Sequence, residues 1–203
     1  MALVDFETLI DHANADEVIS FPTDTVPAVA VKPDYAQKIY TLKRRSPDKP
    51  LILMAASLEE IWDYVVGSAA EKKQWQAIAA KYWPGALTLV LPASDRVSGA
   101  INPTNSGTVG VRVPDLEIAR KILSKTGVMA TTSANLSGQP PIEWTQEIAL
   151  TFPDLPVLNC WEVEQLGKIG NGQPSTVVQW QSDGTWQILR QGTVSLETAQ
   201  SNL

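Results

Sequence analysis

Along this chain, stretches with apolar residues at helical spacing alternate with short, unbroken apolar runs. Phe6, Leu9, Ile10 and Ala13 mark one face of a helix over residues 5–14, and residues 17–21 then read as a strand that Pro22 ends or kinks. After the apolar run 26–31, Pro33 and Asp34 open a helix carrying Ala36, Ile39, Tyr40 and Lys43, so the basic triplet Lys43-Arg44-Arg45 falls at its carboxyl end. Residues 51–55 read as a short buried strand. Ser57-Leu-Glu-Glu60 and Ser68-Ala-Ala-Glu71 both have capping-box spacing, in which serine and glutamate satisfy each other's free amides, and predict two helices. The second ends near Trp83-Pro84-Gly85. Strands are predicted over 87–91, 109–113 and 128–132, with a helix over 116–125 that turns Ile118, Ile122 and Leu123 inward. A helix over 143–152 and a hairpin of 175–180 with 186–189, turning at Ser182-Asp-Gly184, complete the pattern. The fold class is α/β: one domain over 1–192, a sheet covered by helices with antiparallel strands added by the hairpin, and a short tail over 193–203.

Composition narrows the function classes. With 203 residues, 44% hydrophobic and 19% charged, the chain can bury one substantial core. A formal charge of -6 and a pI near 4.8 argue against broad electrostatic coating of nucleic acid, although a local basic cleft is compatible with an acidic exterior. The opening Met1-Ala-Leu-Val-Asp-Phe-Glu lacks the basic segment of a signal peptide, no apolar run approaches a membrane span, and the single Cys160 has no internal disulfide partner. A cytoplasmic location is expected. His12 is the only histidine, so a Ser-His-Asp triad and an ordinary zinc site are both improbable; no protein-bound metal is predicted. Cys160 reads as a packed thiol.

The candidate chemistry lies in five polar islands beside apolar runs: Pro22-Thr-Asp-Thr-Val26, Lys43-Arg-Arg45, Thr108-Val-Gly-Val-Arg112, Thr132-Ser-Ala-Asn-Leu-Ser-Gly138 and Ser175-Thr-Val-Val178. Four of them fall at or near the carboxyl ends of predicted strands, where open α/β sheets collect ligands. Lys43, Arg45, Arg112 and Arg190 stand at element ends, while most other cations lie on helix surfaces, which suggests an anion-binding cleft. Neither a P-loop nor a dinucleotide fingerprint is present, so phosphates would have to be held by side-chain cations with Ser, Thr and Asn donors. Singly, each island also has a plain structural reading. Thr23 and Thr25 suit a turn, Lys43 and Arg45 suit a helix end, Arg112 suits a pair with Asp115, and Arg190 suits a pair with Asp183 or Glu197.

The order of the motifs changes that balance. Pro-Thr-Asp-Thr-Val, Lys-x-Arg, Lys-Pro-Leu-Ile, Trp-Pro-Gly-x-Leu-Thr-Leu-Val-Leu, Thr-Val-Gly-Val-Arg-x-Pro, Thr-Ser-Ala-Asn-x-Ser-Gly and Ser-Thr-Val-Val run in sequence from about Val18 to Gly192. This series resembles the YrdC/Sua5 family, which makes threonylcarbamoyl-adenylate for the tRNA modification t6A. The resemblance implies a single-domain, twisted mixed sheet flanked by helices, with a large concave, positively charged cleft. It further implies formation of threonylcarbamoyl-AMP and pyrophosphate from L-threonine, bicarbonate and ATP, with magnesium carried on the ATP phosphates. The chain is too short to include the extra carboxyl-terminal domain of the longer Sua5 type.

By the same resemblance, Lys43, Arg45, Ser133 and Asn135 are the catalytic candidates. Thr25, Arg112, Ser133 and Ser175 are expected to bind threonine, with Arg112 clamping its carboxylate. Arg45, Lys49, Thr108, Asn135 and Arg190 are expected to contact the nucleotide. Implied partners are the t6A transferase machinery and tRNA or double-stranded RNA, with no membrane. Three positions depart from the family pattern. Pro27 replaces the tyrosine that usually follows Pro-Thr-Asp-Thr-Val, Met54 stands where many members have a histidine near the threonine, and Glu143 falls where a threonine often meets the nucleotide. Two other readings therefore stay open: a divergent YciO-like paralogue with another substrate, and a noncatalytic RNA-binding module using the same concave surface. The run Arg45-Ser-Pro-Asp-Lys-Pro50 reads as a turn-rich lid over the nucleotide.

Overall fold

The computed structural model describes residues 2–104 and 106–196. Among the described residues ten strands form one sheet: β1 (Leu3–Val4), β2 (Ile19–Phe21), β3 (Ala28–Val31), β4 (Ile52–Met54), β5 (Leu87–Pro92), β6 (Thr108–Arg112), β7 (Met129–Ser133), β8 (Val157–Leu158), β9 (Thr176–Trp180) and β10 (Trp186–Arg190). Their spatial order is β1-β8-β2-β3-β7-β4-β6-β5-β9-β10, with parallel and antiparallel pairs mixed. Among the described residues six α-helices accompany it: α1 (Phe6–Asn14), α2 (Gln37–Lys43), α3 (Ala69–Tyr82), α4 (Glu117–Thr126), α5 (Thr145–Thr151) and α6 (Trp161–Leu166).

Most elements follow from local chemistry. Asp5 caps α1 by accepting from the Thr8 N–H at 2.8 Å, and Ser68 with Glu71 forms the expected capping box at the start of α3. Gly184, at φ 85°, allows the tight turn between β9 and β10. The other predicted capping box does not form. Residues Glu59–Tyr64 make a 3-10 helix without a side-chain cap, and the Glu60 carboxylate accepts from Ala56 N–H instead. Ile61 and Tyr64 are the buried pair, and a spacing of three matches the 3-10 period. β1, β8 and α6 are elements that the hydrophobic pattern did not announce; two-residue strands are too short to show alternation. Cys160 is half-buried, and burial raises its thiol pKa. Within the expected tail, Thr193 and Val194 are tied back through Pro174 and Thr176, whereas residues 197–203 lie outside the described part.

Strand alternation sorts the core into two faces. Val29, Val31, Leu53, Val111, Ala130, Leu87 and Leu89 pack with Ile39 and Tyr40 of α2 and with Trp75 and Ala79 of α3. The intervening residues Ala28, Ala30, Met54 and Met129 face the other way, against Leu9, Ile10 and Ala13 of α1 and Ile118, Ala119 and Ile122 of α4. This second cover leaves a cavity of about 400 Å³, bounded by residues of β3, β4, β5, β6, β7 and β9.

The cavity's rim loop depends on a close backbone approach. Gly170 has φ 69°, and a Cβ there would lie 2.0 Å from the Thr25 carbonyl oxygen; the N–H groups of Asn171 and Gly172 donate to the same oxygen. Gly170→Ala is expected to destabilise the protein by about 2 kcal/mol or more through combined left-handed strain and collision. Urea denaturation checks this, with a lowered midpoint as the expected result.

Candidate functional site

Arg112, the last residue of β6, is only 2% exposed. Its Nε donates to Gly85 O at 3.0 Å, Nη1 to Thr25 Oγ1 at 2.8 Å and Nη2 to Asp24 Oδ1 at 2.6 Å. A buried guanidinium needs such partners, since desolvation is costly and a lone buried charge is not tolerated. Burial lowers its pKa, and the Asp24 charge opposes that shift. Three of its five N–H groups are used, which leaves two for a ligand. The expected alternative pair with Asp115 does not form; Asp115 binds Arg120 at 3.1 Å. Trp83-Pro84-Gly85, the turn near which the predicted helix ends, thus supplies an acceptor to the site.

Thr25 is constrained by its neighbours. Thr23 Oγ1 spends its proton on Val26 O at 2.6 Å, so in the 3.1 Å contact between the two hydroxyls Thr25 must donate. Its remaining capacity is as an acceptor, and Arg112 takes one of its two lone pairs. Thr25 therefore orients the guanidinium in this arrangement and has no proton to offer a ligand.

A second cation lies under the opposite wall. Lys43, 1% exposed, directs Nζ at Ser133 O, at Thr132 Oγ1 (3.4 Å) and at Asn135 Oδ1 (3.2 Å). Asn135 Oδ1 also accepts from Ser133 Oγ at 2.6 Å, while Asn135 Nδ2 donates to Leu136 O and Gln139 O. The amide has both protons and both lone pairs engaged, so Asn135 braces the loop, and Ser133 presents only lone pairs to the cavity. Burial, and secondarily the charge of Arg45, lower the Lys43 pKa from 10.5 to about 7. A neutral amine still has two protons for the surrounding oxygens.

Two more arginines reach the cavity. Arg45 wraps its own loop, with Nε donating to Lys49 O at 2.8 Å and Nη2 to Pro50 O at 3.0 Å. Arg190 holds the Ser175 carbonyl through Nε at 3.2 Å and Nη2 at 2.9 Å, rather than pairing with Asp183. Ser175 Oγ meets Thr88 Oγ1 at 2.8 Å. Burial depresses the pKa of both arginines, and the charge of Arg112 further depresses that of Arg190. Like charges held close are stabilised by an anion between them.

The structure thus brings Thr25, Arg45, Arg112, Ser133, Asn135, Ser175 and Arg190 to one cavity, with Lys43 behind Ser133 and Asn135. Thr108 and Lys49 are not in its lining. Thr108 engages Ser106 and Asn102 instead, and Lys49 is engaged through its backbone, its oxygen accepting from Arg45 and Tyr40 and its N–H donating to Ser46 O. Asp24, Gly85 and Thr88 are site residues that the sequence does not single out; all three lie inside the ordered motifs, but only the pairing across segments reveals their contacts. Pro27 and Met54 do line the cavity, whereas Glu143 is paired with Lys168 at 2.9 Å outside its lining. The cavity also differs in place from the expected strand ends. It opens on a sheet face, using the carboxyl ends of β6 and β7 but the amino ends of β3, β5 and β9, because the sheet is mixed.

A family profile, Sua5/YciO/YrdC, described as "Telomere recombination", matches residues 11–192. The chain belongs to this family. Threonylcarbamoyl-AMP synthase of Vibrio campbellii is 35% identical over 191 residues, covering 92% of this chain and 98% of that protein. The Bacillus subtilis protein of the same name is also 35% identical, over 90% of this chain and 51% of its own length. Among solved structures, P. abyssi Sua5 complexed with L-threonine superposes with a TM-score of 0.83 at 26% identity, covering 95% of this chain and 58% of that one. E. coli YciO superposes with a TM-score of 0.79 at 21% identity over 96% and 95% of the two chains, a likeness of fold.

Two outcomes follow from the buried cations. Thr25→Val keeps shape but removes the acceptor of Arg112, and is expected to cost about 1–3 kcal/mol in chemical denaturation. For Lys43, the unfolded chain takes up a proton as pH falls from 10.5 toward 7 while the folded chain does not. Stability should therefore decline by up to about 1.4 kcal/mol per pH unit over that interval, and the decline should stop below the folded pKa. Denaturation of the wild type and Lys43→Met from pH 7 to 10 checks this. The wild type should gain on the variant as pH rises.

Proposed function

We propose that this chain is a threonylcarbamoyl-AMP synthase, joining L-threonine, bicarbonate and ATP into threonylcarbamoyl-AMP, pyrophosphate and water. The observation that carries the reading is the convergence of Arg45, Arg112 and Arg190 on one cavity, each with N–H groups not committed to protein acceptors. Such a site suits a ligand set with negative charge at several points: an amino-acid carboxylate and a polyphosphate.

Arg112 takes the threonine carboxylate through its two unused protons. Threonine's amine attacks the bicarbonate carbon, forming the N–C bond with loss of water. A carbamate oxygen then attacks the α-phosphorus, and the bond to the β-phosphate bridge breaks to release pyrophosphate. Arg45 orients the phosphates through its uncommitted N–H groups, beside the loop from Ser133 to Asn135 that Lys43 fixes in place; Arg190 and Ser175 complete the opposite wall. Magnesium arrives on ATP as part of the substrate. No proton-transfer histidine is needed, since positioning and charge stabilisation carry the barrier reduction. Among the described residues no cluster of three or more His, Cys, Asp or Glu suited to a metal occurs, and no helix is long and apolar enough to cross a membrane.

The relatives at 35% identity carry the synthase name, and the likeness to YciO extends to the fold alone, so a YciO-like paralogue or an RNA-binding module is not favoured. The test is pyrophosphate release with L-threonine, bicarbonate and Mg-ATP, with the adduct sought by mass spectrometry. Arg45→Ala is expected to lower turnover by roughly 10²- to 10³-fold, the scale for losing one preorganised charge-stabilising donor, with an unchanged circular dichroism spectrum. Undiminished turnover in that variant would remove Arg45 from the site.

A further inference from the structure

The rim loop carries a reactive pair that the chemistry in the cavity does not use. Asn171-Gly172 is the chain's single Asn-Gly sequence. Where the residue after an asparagine has no side chain, its backbone nitrogen can close on the asparagine amide carbon without obstruction. The loop cannot readily exchange this glycine. Gly172 has φ 74°, in the left-handed region, and a Cβ there would have to displace Glu143 Oε1 from a distance of 2.2 Å. Asn171 is exposed, and its amide is pinned at both ends: Oδ1 accepts from Gln173 N–H at 2.9 Å, and Nδ2 donates to Thr193 Oγ1 at 3.0 Å. The Gln173 N–H is placed to steady negative charge on Oδ1 if the amide carbon is attacked. The attacking nitrogen is the restrained part. Gly172 N–H donates to Thr25 O at 3.3 Å, beside the Asn171 N–H at 3.1 Å on the same oxygen.

We propose that Asn171 is a modification site of this chain: it deamidates when the rim loop lifts from Thr25, and the product weakens anion binding in the cavity. Gly172 N gives its proton to hydroxide and forms a bond to Asn171 Cγ. The Cγ–Nδ2 bond breaks, and ammonia leaves with a proton from water. Water then opens the cyclic imide to aspartate or isoaspartate, so that the sum is amide plus water giving carboxylate plus ammonium. While the loop is closed, the Thr25 carbonyl keeps the Gly172 proton and the Thr193 hydroxyl holds the amide, so the rate reports how often the loop opens. The product adds one negative charge to the chain's -6, in the loop that grips Thr25 and just ahead of Pro174 and Ser175 in the cavity lining. Thr25 is the residue whose hydroxyl orients Arg112. The isoaspartate form also lengthens the main chain by one carbon, which shifts Gly172 N–H away from Thr25 O. The reaction depends on the loop alone and not on the synthase reading.

The experiment incubates the folded wild type and the urea-unfolded chain at one mildly alkaline pH and follows every asparagine by peptide mass spectrometry, with ammonia release as a second readout. Asn171 is expected to convert before any other asparagine, and about tenfold or more slowly in the folded protein than in the unfolded chain. Thr193→Val removes the acceptor of Nδ2 and leaves the reacting atoms in place. It should speed the folded reaction about threefold and leave the unfolded one unchanged. Asn171→Asp, the product in its aspartate form, is expected to bind Mg-ATP about threefold more weakly than the wild type at low salt, with the difference shrinking as salt rises. Equal folded and unfolded rates, or an unchanged rate in Thr193→Val, would overturn the gating. A folded protein that keeps Asn171 intact while the unfolded chain loses it would make the residue a tether only. Equal Mg-ATP affinity in Asn171→Asp would overturn the link to the cavity. If Asn171 converts as expected but the wild type binds no Mg-ATP, the synthase reading falls and the modification site stands.

Discussion

Burying the Arg112 guanidinium inside the sheet is the constraint around which the site is organised. Its charge must be matched where water is excluded, and three acceptors from two segments do so: Asp24 and Thr25 from the loop before β3, and Gly85 from the turn before β5. Each segment is fixed in turn. Thr23 sets the Thr25 hydroxyl, the 169–172 loop grips the Thr25 carbonyl, and Gly85 N–H donates to Val113 O just beyond β6. The ion pair does more than neutralise a charge. It joins the strands that bound one side of the cavity to the loop that caps it, and holds the unused donors in place before any ligand arrives.

The opposite wall solves the same problem differently. Lys43 has no carboxylate partner among the described residues; it meets neutral oxygens of β7 and its following loop, and burial pulls its pKa down to about 7. One buried cation is thus firmly charged and the other is poised between states.

Much of this architecture was legible in the sequence where periodicity and turn chemistry act locally. Helices α1, α3 and α4 and the β9–β10 hairpin show their spacing and caps, and the ordered islands contain the residues that meet at the cavity. The rest depends on pairing between distant segments. Nothing near Asp24 shows that it meets Arg112 rather than solvent, and the spacing of Ala36, Ile39, Tyr40 and Lys43 places the lysine on the inward helix face without showing that its partners are on β7. The 3-10 segment before α3 escaped because its serine and glutamate had capping-box spacing while its buried residues had the shorter period. The position of the cavity escaped because strand direction was unknown: in an all-parallel sheet the polar islands would mark one edge, whereas in this mixed sheet they meet across a face.

A binding surface built on a sheet face carries a reading frame. Arg112, Met54, Ile52, Thr131 and Ser133 reach the cavity because they share one parity along their strands, while Val111, Leu53 and Ala130 share the other. Deleting or inserting one residue within β4, β6 or β7 would exchange the two sets, sending cations and hydroxyls into the packed layer and aliphatic side chains into the cavity. Length changes in these strands are thus far more damaging than most single replacements, and the loops outside them are where the chain can vary in length while keeping its chemistry.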